Sequence, residues 1–396
     1  MYITYQPKQT AIGENSLRNL GGSAKKLKVT HLLVVIDQFL TTDPLNYDER
    51  ITQILNQENI NVSFFSDYQG EPTTDHLGAA LTIAKEQKVN GVAAIGGGSA
   101  IDIAKATALF CKSPQMEWNA ITKQDNLERL PLIAVPTTAG TGSEATKVMV
   151  ITDTEKGIKM NPGHPDLIPD IAILDPALTS SLPKNFTAYT GVDAITHAIE
   201  AFVSTKANIA TDQYALTAIQ IAGRSLPVVY HDGMNIKARE EMLLASTYAG
   251  IAFSNASTNL AHAAGRALGA RFHIPHGLSV AVLLPLVMRF GLQAAPERYA
   301  QIAIALGEDA NKDIHELAEQ SIQIIEKYCD DFQIWKDALK FIDLQDLESN
   351  IDLLAKDALD GNGILTNRIV PSNSDIRKLF LDLIDKLNKV KAIEQV

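Results

Sequence analysis

Hydrophobic and polar positions follow two different patterns along the chain, one in each half. The first half carries short, continuous apolar runs separated by segments in which apolar residues have helical spacing. The strand-like runs lie at residues 30–37, 61–67, 148–153 and 171–176, and two more begin at residues 91 and 130. Continuous apolar runs are typical of parallel strands buried on both faces, and strands that alternate with helices imply right-handed crossovers. This half therefore predicts an α/β domain with a mostly parallel sheet.

From residue 185 onward every long segment has helical periodicity, and no convincing strand remains. The predicted helices are 190–204, 209–229, 237–253, 257–268, 277–292, 296–306, 312–330, 333–341, 344–358 and 374–389. A chain of 396 residues is too long for a single hydrophobic core of ordinary size. We predict an α/β domain at residues 1–183 and an all-helical domain at residues 184–396.

Composition excludes several classes of protein. A hydrophobic share of 46% and a charged share of 20% are those of a globular protein. The net charge of −11 argues against a nucleic-acid surface, which needs clustered Lys and Arg. Cys111 and Cys329 are far apart and form no CxxC pair. The N-terminal residues lack the features of a signal peptide, and no run of about 18 apolar residues occurs. A cytoplasmic protein without a membrane partner is expected.

Two glycine-rich turns follow strand-like runs. Gly96, Gly97 and Gly98 end one run, and we expect Ser99 to cap the helix that follows. Small residues let backbone N–H groups approach a phosphate, and a helix N-terminus favours an anion. The second turn, 136–144, offers the hydroxyls of Thr137, Thr138 and Thr141. The spacing differs from GxGxxG, so a tight turn without a ligand is the alternative to a nucleotide site.

Asp37 ends the first long strand-like run. An acid at this place can accept hydrogen bonds from ribose hydroxyls and repel a 2′-phosphate, so we expect NAD as cofactor and not NADP. The alternative is that Asp37 only caps the next turn.

Four residues of the second half form a candidate metal site: Asp193, His197, His262 and His276. The first two lie four apart in a helical segment and therefore share one helix face. His262 lies in another helical segment, and His276 follows it after a break at Gly269 and Pro275. One carboxylate and three imidazoles suit Fe²⁺ or Zn²⁺ and leave room for a substrate oxygen.

Five motifs, in this order over nearly the whole chain, resemble those of the iron-containing (group III) alcohol dehydrogenase family. They read GGGSAIDIAK, PTTAGTGSE, GVDAITHAIEAF, FSNASTNLAHAAGRALG and FHIPHG. The resemblance implies an N-terminal dinucleotide-binding domain and a C-terminal helical domain, in the architecture shared with dehydroquinate synthase. It also implies a metal-dependent enzyme that transfers a hydride between NAD(H) and a primary alcohol or aldehyde. Family members commonly form homodimers or larger homo-oligomers.

The resemblance also assigns residues. The family's metal ligands fall on the same Asp193, His197, His262 and His276. Its pyrophosphate loop falls on Gly96 to Ser99, its nicotinamide and ribose contacts on the Thr137 to Thr141 loop, and a cofactor-facing lysine on Lys159.

Two positions depart from the family pattern. Where the family usually has a histidine four residues after the third ligand, this chain has Arg266. A guanidinium there could bind an anionic group, so a small anionic aldehyde is one predicted substrate, and contact with cofactor or a neighbouring helix is the alternative. Near the C-terminus the family's TNPR is replaced by Thr366, Asn367, Arg368 and Ile369, which puts the contacts of that loop in doubt.

The remaining expectations concern single residues and other functions. His273, three residues before the last predicted ligand, is a candidate proton relay or substrate contact. Asp102 and Lys105, three apart, are expected to form an ion pair on a helix surface. The alternatives to an alcohol dehydrogenase are a related enzyme of the glycerol dehydrogenase or dehydroquinate synthase type and a non-enzymatic sensor of metal and dinucleotide.

Overall fold

The computed structural model describes residues 1–394 and divides the chain into two compact units. One unit comprises Tyr5–Ser181, and the other comprises Leu182–Val396 together with Met1–Thr4. The first is an α/β unit and the second is helical, as the two sequence patterns predict. The exact domain boundaries, 1–183 and 184–396, stay a prediction.

The α/β unit is built on a parallel sheet of six strands in the order β1-β8-β5-β4-β2-β3. These strands are β1 Gln9–Ile12, β2 His31–Ile36, β3 Asn61–Phe65, β4 Gly91–Gly96, β5 Leu132–Pro136 and β8 Ile171–Leu174. Its helices are α1 Leu20–Lys26, α2 Tyr47–Asn56, α3 Thr74–Glu86 and α4 Gly98–Phe110. The central strands carry apolar side chains on both faces, so a buried hydrophobic cluster packs against each face of the sheet.

The predicted strand at 148–153 lies outside this sheet. Only its last three residues form a strand, β6 Ile151–Asp153, which pairs antiparallel with β7 Ile158–Met160. The short connection between them explains the pairing, since a parallel crossover needs a dozen or more residues and a hairpin needs only a few.

The helical unit contains twelve helices within the described residues. They are α5 Lys184–Val203, α6 Ile209–His231, α7 Ile236–Asn255, α8 Leu260–Phe272, α9 His276–Ala281, α10 Leu284–Gly291, α11 Pro296–Ala305, α12 Ile314–Asp331, α13 Ile334–Ala338, α14 Leu344–Ser349, α15 Ile351–Leu359 and α16 Asn373–Glu394. Helix α5 is central: it packs against α6, α7 and α9, and its residues are buried on nearly every side.

Two predicted helices are each broken into two. The segment 277–292 divides into α9 and α10 because Pro285, near the start of α10, has no N–H to continue the helical ladder. The segment 344–358 divides into α14 and α15 at Asn350, whose side-chain amide donates to the carbonyl of Asp346 at 2.8 Å. This side chain competes with the backbone for a helical acceptor.

One segment is apolar on average although it is not a continuous apolar run, since it contains His276, Arg289 and Gln293. Within the described part of the chain, His276–Ala294 is long and apolar enough to cross a membrane by length and composition. However, 61% of it is buried inside the protein, as expected for core helices of a globular unit.

Candidate metal centre and cofactor loops

Helix α5 carries the first two predicted ligands on one buried face. Asp193 and His197 are four residues apart, and both side chains are almost fully buried. The Nδ1 atom of His197 lies 3.8 Å from Oδ2 of Asp193. The helical spacing therefore brings the carboxylate and the imidazole together, as predicted.

Two histidines from later elements converge on the same carboxylate. His262, in the first turn of α8, has its Nε2 atom 3.4 Å from Oδ1 of Asp193. His276, the first residue of α9, has its Nε2 atom 4.0 Å from that oxygen. Asp193, His262 and His276 each offer one potential metal-ligand atom, and these three atoms lie within 4.8 Å of one another. Residues from three helices thus share one small space.

His197 is not part of this group of three, although its Nδ1 atom lies 3.8 Å from Asp193. Its ring stacks on Phe253 of α7 with a centroid distance of 4.2 Å and lies equally close to the ring of His262. The imidazole therefore packs between Phe253 and His262. Its role as a fourth ligand stays a prediction.

The carboxylates and imidazoles of the cluster shift one another's pKa values. Burial alone would raise the pKa of Asp193, but the nearby histidines outweigh it and hold the pKa well below its usual range. Burial alone would lower the pKa of His262, yet the carboxylates of Glu200 and Asp193 raise it to about 9. Among the described residues, Asp193 Oδ1 and His262 Nε2 are buried atoms without a hydrogen-bond partner. Buried polar atoms need partners, and a divalent ion bound by both of these atoms would be such a partner.

Glu200 is a residue of this site that the sequence reasoning missed. It lies on α5, seven residues after Asp193, and its side chain is 2% exposed. His262 Nδ1 lies 2.7 Å from its Oε2 atom. The available signal was the spacing of 193, 197 and 200, which continues one helix face with a third polar residue.

The 366–368 loop packs against the ends of two helices of this site. This is the loop that departs from the family pattern. The hydroxyl of Thr366 lies 2.8 Å from Oδ1 of Asn259, the residue that precedes α8. Asn367 Oδ1 accepts from the N–H of Leu260 at 3.2 Å. Arg368 Nε donates to the last carbonyl of α5 at 3.0 Å, where a cation suits the helix dipole.

Arg266 and His273 differ in their surroundings. The Nε atom of Arg266 donates to the His262 carbonyl at 3.2 Å, and its Nη2 atom donates to the Asn362 carbonyl at 3.0 Å. Arg266 therefore binds main-chain carbonyls of its own helix and of the segment around Asn362. His273 ends α8 in a left-handed conformation with φ 53° and is exposed. Their predicted substrate roles stay predictions.

In the α/β unit the predicted cofactor residues other than Lys159 lie at or just after the carboxyl ends of neighbouring strands. Ile36 of β2 pairs with Ile95 of β4, and Gly96 pairs with Pro136 of β5. The residues that follow these strands therefore lie side by side. In open parallel sheets this edge is where ligands bind.

Asp37 is held by hydrogen bonds within this edge. Its Oδ1 atom accepts from the Tyr68 hydroxyl at 2.6 Å, and its Oδ2 atom accepts from the N–H of Gly97 at 3.0 Å. Burial raises the pKa of this carboxyl despite these bonds. Asp37 thus anchors the glycine turn, and its contact with ribose stays a prediction.

The glycines allow the two loops to touch. A Cβ atom on Gly98 would lie 2.9 Å from the Thr141 methyl, whereas one on Gly97 would lie 3.6 Å from that of Thr138. A Cβ on Gly96 would lie 2.7 Å from Oδ2 of Asp37. A side chain at 98 would therefore push the second loop away, one at 96 would clash with Ala100 and Asp37, and position 97 has room.

Ser99 does not cap α4 as expected. The N-cap is Gly97, and the Ser99 hydroxyl donates to the carbonyl of Gly70 at 2.9 Å. The expectation was wrong because the helix begins two residues earlier than a Ser99 cap requires, at Gly98. Lys159, in β7, pairs with Glu71 at 2.5 Å and is partly exposed; its contact with a cofactor stays a prediction.

Asp102 and Lys105 are buried, which corrects the expected surface ion pair. Lys105 Nζ donates to the carbonyls of Thr146 and Val148 at 2.9 and 2.7 Å. Asp102 accepts from the Ser143 hydroxyl at 2.8 Å. Burial lowers the pKa of Lys105 to about 8. All residues of α4 from Ala100 to Phe110 are buried, so Asp102 and Lys105 bind the second loop and the segment that follows it.

Comparisons with known proteins agree with this arrangement. Residues 7–176 match the family described as iron-containing alcohol dehydrogenase, and residues 187–384 match the C-terminal part of the Fe-containing alcohol dehydrogenase family. The probable alcohol dehydrogenase EutG of Salmonella typhimurium is 44% identical over 312 residues, which are 78% of each chain. The NAD-dependent methanol dehydrogenase of Bacillus methanolicus is 32% identical over 94% of this chain and 97% of its own.

A solved structure of a related enzyme has the same fold as this chain. The crystal structure of a 1,3-propanediol oxidoreductase superimposes with a TM-score of 0.90 at 30% identity, over 97% of this chain and all of that chain. The matches to both halves and to full-length relatives agree with the motifs and with the clustered Asp193, His262 and His276. The chain belongs to the iron-containing alcohol dehydrogenase family.

Proposed function

We propose that this enzyme interconverts a small primary alcohol and its aldehyde, with NAD(H) as the hydride carrier and Fe²⁺ as the resident metal. The observation that carries the proposal is the convergence of Asp193, His262 and His276, whose donor atoms lie within 4.8 Å of one another. Asp193, His262, His276 and His197 are the proposed ligands. A divalent ion held by such a set supplies Lewis acidity toward an alcohol or carbonyl oxygen.

The chain's own residues prepare this site. Asp193 contributes a negative charge inside a buried cluster, where electrostatic attraction for a cation is stronger than in water. His276 is the one proposed ligand of the group with a substantially exposed side chain, 42%, so the approach of substrate is expected from its side. His273, three residues earlier and also exposed, is the proposed proton relay at that entrance.

The choice of NAD is supported by Asp37. A carboxylate beside the glycine turn repels the 2′-phosphate that distinguishes NADP. A relative named an NAD-dependent methanol dehydrogenase is in agreement. The proposed cofactor contacts are Asp37, Gly96, Gly97, Gly98, Ser99, Thr137, Thr138, Thr141 and Lys159.

The choice of a small primary alcohol is supported by the names of two relatives, a methanol dehydrogenase and a 1,3-propanediol oxidoreductase. The narrower prediction of an anionic aldehyde depends on Arg266. Two of the nitrogens of that guanidinium already donate to main-chain carbonyls, so we favour a neutral substrate. A cytoplasmic homodimer or larger homo-oligomer is proposed from the family, and light scattering after gel filtration would measure its mass.

The metal is best tested by direct analysis. Sites with nitrogen and oxygen ligands generally bind Zn²⁺ more tightly than Fe²⁺, so the ion found after purification depends on handling. Protein purified without oxygen would be analysed for metals, stripped, and reloaded with Fe²⁺ or Zn²⁺. The proposal expects more activity with Fe²⁺, and greater activity with Zn²⁺ would overturn that choice.

The reaction is tested by the loss of NADH absorbance on mixing the loaded enzyme with a panel of neutral and anionic aldehydes. Turnover is expected with short neutral aldehydes, and Asp193→Asn should abolish it. A loaded enzyme that oxidises NADH with none of them would favour the sensor alternative.

A further inference from the structure

The carboxylate of Glu200 is enclosed between α5 and the start of α8. Its side chain is 2% exposed, and three N–H groups donate to it. Oε2 accepts from His262 Nδ1 at 2.7 Å and from the backbone of Asn259 at 2.7 Å, while Oε1 accepts from the backbone of Ala261 at 2.6 Å. An ionised carboxylate, which only accepts, satisfies all three donors at once.

The position of Glu200 is itself fixed from both sides. It lies on the same face of α5 as Asp193, so one rigid helix sets the distance between the two carboxylates. The side-chain amide of Asn259 donates to the main-chain carbonyl of Glu200 at 3.0 Å, which ties the start of α8 to α5. The carboxylate therefore has little freedom to move away from His262.

The hydrogen bond to His262 decides which ring nitrogen is available. Because Nδ1 carries the proton that is donated to Glu200, the lone pair of the neutral ring lies on Nε2. Nε2 is the buried atom that lies 3.4 Å from Asp193 Oδ1. A carboxylate on the far nitrogen also increases the basicity of the donor nitrogen and fixes the ring orientation.

We propose that Glu200 is a positioning residue that holds His262 in the Nε2-donor tautomer and aims this nitrogen at the metal site beside Asp193. The proposal rests on the proposed function, because it presupposes that His262 is a ligand. The alternative to this proposal is a purely structural role, in which Glu200 only caps the N-terminus of α8.

The chain offers a variant that separates the two roles. Asn367 also accepts from the α8 N-terminus, at the N–H of Leu260, but it makes no hydrogen bond to His262. Asn367→Ala therefore removes a cap of the same helix end and leaves the Glu200–His262 pair in place. Glu200→Gln keeps the shape of the side chain but replaces one acceptor oxygen with an NH₂ group, which cannot accept.

The test measures Zn²⁺ affinity of the stripped full-length protein by competition with a chelator, together with the unfolding of the same samples. Glu200→Gln is expected to weaken Zn²⁺ binding about 10- to 100-fold. Asn367→Ala should lower stability without a comparable loss of affinity. Equal affinity in Glu200→Gln and wild type, or an equal loss in Asn367→Ala, would overturn the proposal.

A spectroscopic measurement gives a second test. Its signal depends on the hydrogen bond between Glu200 and His262, and not on the capping of α8. In the Zn²⁺ form labelled with ¹⁵N-histidine, the Nδ1–H of His262 should appear as a strongly downfield proton that exchanges slowly with water. In Glu200→Gln this proton should move upfield and exchange faster, and an unchanged signal would contradict the proposal. Glu200→Asp, which keeps the charge on a shorter side chain, replaces Glu200→Gln if that variant does not fold.

Failure of the proposed function gives a different result. Asp193→Asn should abolish the tight Zn²⁺ site in an otherwise normal protein. If wild type shows no such site, or if Asp193→Asn leaves it intact, the metal assignment is wrong. If the site is lost in Asp193→Asn but unaffected in Glu200→Gln, only the role of Glu200 is wrong.

Discussion

Gly97→Ala tests whether the glycine turn binds the cofactor, because the protein itself has room for the added methyl group. A Cβ atom at this position would lie 3.6 Å from the nearest side-chain atom, which is ordinary van der Waals contact. Gly97 has φ −73° and ψ −168°, a conformation that alanine adopts freely. The loss of a glycine N-cap should therefore cost less than about 1 kcal/mol of stability.

The effect on cofactor affinity should be much larger. The methyl group would stand at the N-terminus of α4, where the proposed pyrophosphate site needs close approach to backbone N–H groups. Loss of one hydrogen bond to a charged group costs about 1.5–3 kcal/mol. This corresponds to a roughly 10- to 150-fold increase in the Kd for NADH.

The assay is a fluorescence titration of NADH, with circular dichroism and urea unfolding of the same protein. Gly78→Ala is the control, since a Cβ on that helical glycine would meet nothing within 4 Å. The control should bind NADH as wild type does. A Kd for Gly97→Ala within about twofold of wild type, in a folded protein, would refute the assignment of this turn to the pyrophosphate.

Three further changes test other parts of the structure. Gly277→Ala should destabilise the protein by about 1–3 kcal/mol in urea unfolding, because its Cβ would lie 2.6 Å from a carbonyl of α5; a neutral effect would contradict this packing. Asp170→Asn, which leaves the largely buried Arg129 side chain without its carboxylate at 2.7 Å, should cost about 3 kcal/mol at pH 7. Burial would raise the pKa of Asp170, but Arg129 outweighs it and lowers the pKa, so this stability is present at neutral pH and lost in acid. The unfolding free energy of the variant should accordingly fall less steeply than that of wild type below about pH 4. Arg266→Ala should leave the ratio of kcat/KM values for matched neutral and anionic aldehydes unchanged, and loss of a preference for the anion would restore the anionic-substrate prediction.

The alternation of strands and helices, and the change to helices near residue 185, were readable from the sequence because local periodicity reports which faces are buried. The spacing of Asp193 and His197 was readable for the same reason. Periodicity carried less information about pairing: the run at 148–153 looked like the other strands, yet it pairs in a separate hairpin.

Burial in three dimensions decided the roles of the charged residues. Asp102 and Lys105 have the spacing of a surface ion pair, but α4 is covered on all sides and both residues bind a loop about forty positions away. Spacing placed Glu200 on the same helix face as Asp193 and His197, but it could not identify its partner, because His262 lies on another helix. Such contacts depend on how elements pack, which spacing within one element cannot report.

The sequence by itself determined the types of secondary structure, the family motifs and the residue types available for a metal and a dinucleotide. The tertiary structure alone decided which of these atoms meet. Potential ligand atoms of Asp193, His262 and His276 converge within 4.8 Å although they come from three helices, and the ring of His197 stacks on Phe253 of a fourth. The physical reason is that a helix fixes the direction of each side chain, whereas the packing between helices sets the distances among them.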